Sequence, residues 1–118
     1  MSRDHKKLET FHLADALALC IYRETANFPA SERYGLQSQI RRAAVSVSTN
    51  IVEGCARRSE SDYLRFLDIA LSSANETDYL VDLCFRLSML TEDAHQGCKK
   101  CSGPTVRSLQ KLLNSLSP

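Results

Sequence analysis

Tryptophan is absent from this chain of 118 residues, and glycine (4), proline (3) and aromatic residues (7%) are sparse. So little glycine and proline excludes collagen-like and low-complexity architectures. No glycine-rich phosphate loop and no nucleophile elbow can be found, so the usual signatures of nucleotide hydrolysis and acyl transfer are missing. We therefore expect no enzymatic activity and no cofactor. The longest apolar run, Ala16 to Tyr22, is far too short to span a bilayer. The first residues (Met1, Ser2, Arg3, Asp4, His5, Lys6, Lys7) lead into acidic Glu9 and Asp15 without the apolar core and cleavage site of a signal peptide. A cytoplasmic protein without a membrane partner is the expectation. Cysteine is not scarce, but five (Cys20, Cys55, Cys84, Cys98, Cys101) is an odd number. Three of the five lie in apolar stretches, as reduced thiols packed as small hydrophobes would.

What is present is helical periodicity. No stretch shows convincing strand alternation, and four helical segments are predicted at about 8–26, 36–56, 60–90 and 104–117, with an extra helical turn possible over 92–101. Asn27, Phe28 and Pro29 end the first, because the residue before a proline is pushed out of helical geometry. Ser59 stands at cap spacing before the third. The run Ser102, Gly103, Pro104 reads as a break before the fourth. With hydrophobic residues at 43% and charged residues at 25%, the chain has ordinary soluble composition and enough length for one core. Helices with apolar faces and short loops pack most simply as an antiparallel up-and-down four-helix bundle, one domain over 1–118.

The second helix carries the most informative pattern. Gln39, Arg42, Ser46, Asn50 and Glu53 recur at spacings of three and four and so share one face. An apolar arc of Leu36, Ile40, Ala43, Ala44, Val47 and Ile51 lies on one side of that stripe, and Val45, Val52 and Ala56 lie on the other. A helix that is apolar on both flanks implies burial on both, hence a homo-oligomer. The stripe, with Glu76 from the third helix, is expected to form a hydrogen-bonded network that fixes register or partner choice, since polar groups are costly to bury unpaired. Direct contact with a ligand or nucleic acid is the alternative. In the third helix Asp78 faces the apolar arc and is expected to pair with a neighbouring helix.

Charge is segregated although the net value is only +1. Residues 32–58 carry five arginines against two glutamates, residues 59–93 two arginines against eight acids, and residues 94–118 four cations with no acid. Arg41, Arg57, Arg58, Lys99, Lys100 and Lys111 are the candidates for phosphate contact, where several cations give salt-sensitive, sequence-independent affinity. Solvated helix ends, which also collect cations, are the competing reading. No aromatic residues interleave this cluster in sequence, so base stacking has little support. His95, Cys98 and Cys101 form H-x-x-C-x-x-C, which offers three ligands on one helical face. Structural zinc takes four, so a site would need His5, His12, another subunit or water, and no metal is expected.

Pro29, Glu32, Tyr34, Gly35 and Leu36, then Gln39, Ile40, Arg41, Arg42, Ala43, Ala44 and Ser46, then Asn50, Ile51, Glu53 and Gly54, and then Phe66, Leu67, Ile69, Ala70, Ser73 and Glu76 form an ordered set of motifs. This set resembles the four-helix-bundle family named after proteins encoded by intervening sequences in bacterial 23S ribosomal RNA genes. The resemblance implies a small bacterial protein that assembles into a ring of five. It also implies kinship with the accessory protein of diversity-generating retroelements, a basic ring proposed to bind nucleic acid alongside a reverse transcriptase. Ribosomal RNA, another nucleic acid or a reverse transcriptase are the partners this suggests. An oligomeric scaffold that binds protein is the alternative. The chain departs from the family pattern at Cys98 to Pro104, where a continuous fourth helix is expected, and in lacking the retroelement relative's strong positive charge.

Overall fold

Residues 3–116 are described by a computed structural model, which places four α-helices and no strand among them. These are α1 (Glu9–Glu24), α2 (Leu36–Cys55), α3 (Glu60–Arg86) and α4 (Glu92–Leu116). A 3-10 turn, His5–Lys7, precedes α1, and a second, Ala30–Glu32, lies between α1 and α2. The helices close a square in which α1 packs on α2 and α4, and α3 packs on α2 and α4, the α2–α3 seam being the most extensive. At 1.5 Å per residue the 27 residues of α3 run about 40 Å, close to the 45 Å long axis of the molecule.

Local chemistry accounts for the boundaries. Ser59 caps α3 by accepting the Asp62 N–H at 3.1 Å. Gly35 offers no cap at the start of α2, and Glu32 supplies one by turning its carboxylate onto the Leu36 N–H at 3.0 Å. At the end of α3, Ser88 takes a left-handed conformation (φ 62°), and the Met89 and Ser88 N–H groups reach the Cys84 and Phe85 carbonyls. That is a Schellman closure with serine where glycine is usual.

The fourth helix overturns the predicted break. It runs unbroken from Glu92 through Pro104; the predicted end at 117 lies outside the described residues. Proline disfavours helical geometry in the residue before it, partly by contact with that residue's Cβ, and Gly103 has none. The Lys100 carbonyl loses its usual donor, and the neighbouring Cys101 carbonyl gains the Thr105 hydroxyl at 2.8 Å. Ser102, read as part of the break, is fully buried and donates to Asp78 Oδ1 at 2.6 Å. The continuous helix expected from the family pattern is therefore present.

The core comprises Leu17 and Ile21 of α1, Ile40, Val47 and Ile51 of α2, Tyr63, Leu67 and Val81 of α3, and Leu109 of α4, all essentially without exposure. α2 and α3 approach closely at Gly54, where an added Cβ would lie 3.0 Å from that of Phe66. The predicted apolar arc of α2 is buried from Ile40 to Ile51, with Leu36 half-buried. Its other flank is not covered within the subunit, since Val45 is 39% exposed, Val52 half-buried and Ala56 exposed. Asp78 joins the α3–α4 seam, as its position on the apolar arc suggested.

Candidate functional site

The polar stripe of α2 is not one network within the subunit. Ser46 meets Ser73 of α3 at 2.9 Å, and Asn50 donates to the Ser46 carbonyl and hydroxyl at 2.8 and 2.9 Å. Glu53 pairs separately with Arg57 at 2.9 Å. Gln39, Arg42 and Glu76 line a shallow depression between α2 and α3 and are exposed. Of the stripe, only Ser46 forms a hydrogen bond to α3 among the described residues.

Nor do the six candidate cations form one surface. Arg57 lies two residues past the end of α2 at Cys55, so about 21 Å of helix separates it from Arg41. Lys99 is held between Asp78 Oδ1 (2.8 Å) and Asp82 Oδ2 (3.0 Å) of α3. Burial alone would lower its pKa, but the two carboxylates raise it above the ordinary lysine value. Lys100 and Lys111 are exposed on α4, and Arg58 is exposed beyond the end of α2. Charge runs show which residues are cationic, not which carboxylates the fold brings to them.

The H-x-x-C-x-x-C residues are likewise committed elsewhere. His95 Nε2 donates to Asp82 Oδ1 at 2.8 Å, and its ring stacks on Phe85 with centroids 4.2 Å apart. Cys98 is buried with its Sγ 3.7 Å from that of Cys20, and Cys101 is half-buried beside them. Burial pushes the Cys98 and Cys101 thiols up, and takes Cys84 to about 11, which disfavours thiolate formation. His12 Nε2 donates to the Lys6 carbonyl at 2.7 Å, and His5 sits edge-on to Phe11. Among the described residues no three His, Cys, Asp or Glu side chains gather to hold an ion.

One cationic group does converge, on the outer side of α1 and α2. Buried Phe28 anchors the connection between them. The last carbonyls of a helix lack intrahelical donors, and α2 supplies donors to α1. Gln37 donates to the Thr25 carbonyl at 2.8 Å, and Arg41 to the Tyr22 carbonyl at 3.1 Å and the Thr25 hydroxyl at 2.9 Å. The Arg41 guanidinium thereby lies over the Tyr22 ring, 4.4 Å from its centroid. Arg33 and Arg42 line the same cleft with Gln37 and Ser38. Neither of these two arginines has a side-chain hydrogen bond or ion pair among the described residues. The cleft continues past Phe28 and Pro29 on one side and along Val45 and Thr49 on the other with no carboxylate in its lining, while Arg42 and Ser46 also border the α2–α3 depression lined by Glu76.

Other arginine–aromatic contacts in the molecule are neutralised. Arg3 lies over Tyr63 and pairs with Glu60, while Arg57 lies 5.1 Å from the Phe66 centroid and pairs with Glu53. Three guanidiniums lining one cleft without a carboxylate make a site suited to an anion, above all to phosphate oxygens. Sequence reasoning named Arg41, placed Arg42 in the stripe, and missed Arg33 and Tyr22. The excess of arginine in 32–58 was a usable signal for Arg33. Nothing local marked Tyr22, which reaches Arg41 only through helix packing.

A family model, that of the 23S rRNA-intervening sequence proteins, matches residues 6–115. Among solved structures, the chain is similar to a Bacteroides thetaiotaomicron protein with unknown function from the S23 ribosomal protein family. The two share 25% identity and a TM-score of 0.78 over 88% of this chain and 97% of that one. No curated protein matches.

Proposed function

The chain belongs to the 23S rRNA-intervening sequence proteins, and from that premise we propose that it is a non-enzymatic, nucleic-acid-associated bundle working as a homo-oligomer. The observation that carries this reading is the cleft of Arg33, Arg41 and Arg42, which no carboxylate lines. It replaces the scattered cluster of Arg41, Arg57, Arg58, Lys99, Lys100 and Lys111 as the phosphate-binding surface. The relative's place in a ribosomal protein family makes ribosomal RNA the first probe. A reverse transcriptase is the protein partner suggested by family analogy.

The same reading takes the helices as antiparallel and up-and-down, which the short α2–α3 and α3–α4 connections favour, and the subunits as a ring of five. Apolar side chains left open on successive helices, Leu19 (58%), Val45 (39%) and Ile69 (39%), support self-association. In a ring, each weak cleft would be repeated, and linked weak sites gain avidity without new contacts. Among the described residues no helix is long and apolar enough to cross a membrane.

Titration of labelled ribosomal RNA fragments at two salt concentrations tests the proposal. Three arginines per subunit on a single strand give a log–log slope of roughly −2, a loss of about 20-fold between about 50 and 200 mM salt. Absence of binding at low salt would overturn it. Light scattering should give a mass near five times the 13.2 kDa subunit. The second reading, a protein-binding scaffold, draws on the same exposed Leu19 and Val45 and is favoured if the oligomer forms but RNA does not bind.

A further inference from the structure

The cleft pairs its three arginines with a tyrosine ring, and that pairing says more than phosphate binding alone. We infer that the α1–α2 cleft takes an unpaired, single-stranded segment of nucleic acid, with a base stacked on Tyr22 and the flanking phosphates on Arg33 and Arg42. The inference rests on the cleft being the nucleic-acid site, and deepens that reading by naming the form of nucleic acid it accepts.

Tyr22 is held in place, because Arg41 covers its ring at 4.4 Å while its own guanidinium is pinned by the Tyr22 carbonyl and the Thr25 hydroxyl. Only two of the five N–H donors of Arg41 are used in those bonds. Even so, Tyr22 remains 46% exposed; with Arg41 over one face of its ring, a base would stack on the opposite face. Base–aromatic stacking with a neighbouring arginine is how single strands are bound with little sequence preference.

A duplex cannot use this arrangement. Its base faces are stacked inside the helix, so only its phosphates could meet the arginines. The site is also concave. A strand can follow it from the Phe28 end past Arg33 to Arg41 and Arg42, whereas reading a groove requires a protruding helix or ribbon. Arg33 and Arg42, lining the cleft with Tyr22, have no partner of their own among the described residues. They are placed to take phosphates on either side of a stacked base.

The test compares a short labelled oligouridine with the duplex it forms with oligoadenosine, by fluorescence anisotropy at low salt. The single strand should bind at least about tenfold more tightly than the duplex, and Tyr22→Leu should weaken it by roughly 5- to 150-fold, the range for loss of one stacked base. Tyr22→Phe keeps the ring and should keep the affinity; loss in both variants overturns the stacking role. The double variant Arg33→Gln, Arg42→Gln should weaken both probes. If it does, but the duplex binds as well as the single strand or Tyr22→Leu changes nothing, the inference fails while the nucleic-acid reading stands. If neither probe binds, both fail.

Discussion

The α3–α4 seam and the α1–α2 cleft are both rich in charge, yet one is closed on itself and the other is open. In the seam, Asp78, Asp82, His95, Lys99 and Ser102 bond to one another between two helices. In the cleft, Arg33 and Arg42 form no ion pair among the described residues; Glu32, the acid next to Arg33 in the chain, caps α2, and Glu76 lines only the neighbouring depression that Arg42 also borders. Charges that satisfy each other hold the fold together, whereas like charges without a counter-charge in the subunit leave their hydrogen-bonding capacity unused. Stability and binding should therefore separate between the two regions.

The sharpest way to break that distinction is to damage each region and read both properties. The largest expected effect on binding comes from Arg33→Gln with Arg42→Gln. This should cut RNA affinity and flatten the salt slope by about 1.4, while leaving urea stability within about 0.5 kcal/mol of the parent. A clear loss of stability would show that these arginines belong to the scaffold. Conversely, Asp78→Ala strands the fully buried Ser102 hydroxyl and removes one partner of Lys99. It should cost about 1–3 kcal/mol in urea denaturation with little change in RNA affinity per folded oligomer. Unchanged stability would refute the structural role of the seam.

Acid titration sharpens the comparison further. Burial would push the Asp82 carboxyl up, but hydrogen bonds and charge from His95 and Lys99 outweigh it and hold the pKa below the ordinary aspartate value. A depressed folded pKa means that this stabilisation is present above the unfolded value, near pH 4, and fades as pH falls through the folded value. Asp82→Asn should therefore flatten the acid limb of the stability curve, measured by thermal unfolding from neutral pH downward; an unaltered limb would count against the pairing. The smallest effect belongs to a position in neither region. Ser88→Gly relieves left-handed strain but adds unfolded-state entropy, for a net gain of about 0.5 kcal/mol without change in binding. A loss of stability would show that the Ser88 conformation carries no strain to relieve.

How much of this was legible depended on how local the cause was. The start of α3 could be read because Ser59 acts within a few residues, and the buried arc of α2 followed from its period. Asp78 was legible because a carboxylate among apolar positions must find a partner. The fourth helix was misread because Ser102, Gly103 and Pro104 have the local chemistry of a break. In the folded chain the missing Cβ of Gly103 eases the proline, and Asp78 takes the Ser102 hydroxyl. Packing overrode propensity. The cleft was only half legible. Arg41 stood out as a cation, but its seat on Tyr22 spans 19 residues and requires α1 to end beside the first turns of α2.

Arg41 finishes one helix and faces the cleft with the same guanidinium, so a substitution there would alter architecture and grip together. Positions 33 and 42 carry no such double duty. Substitutions at those two would change the charge of the cleft and leave the closure of α1 intact.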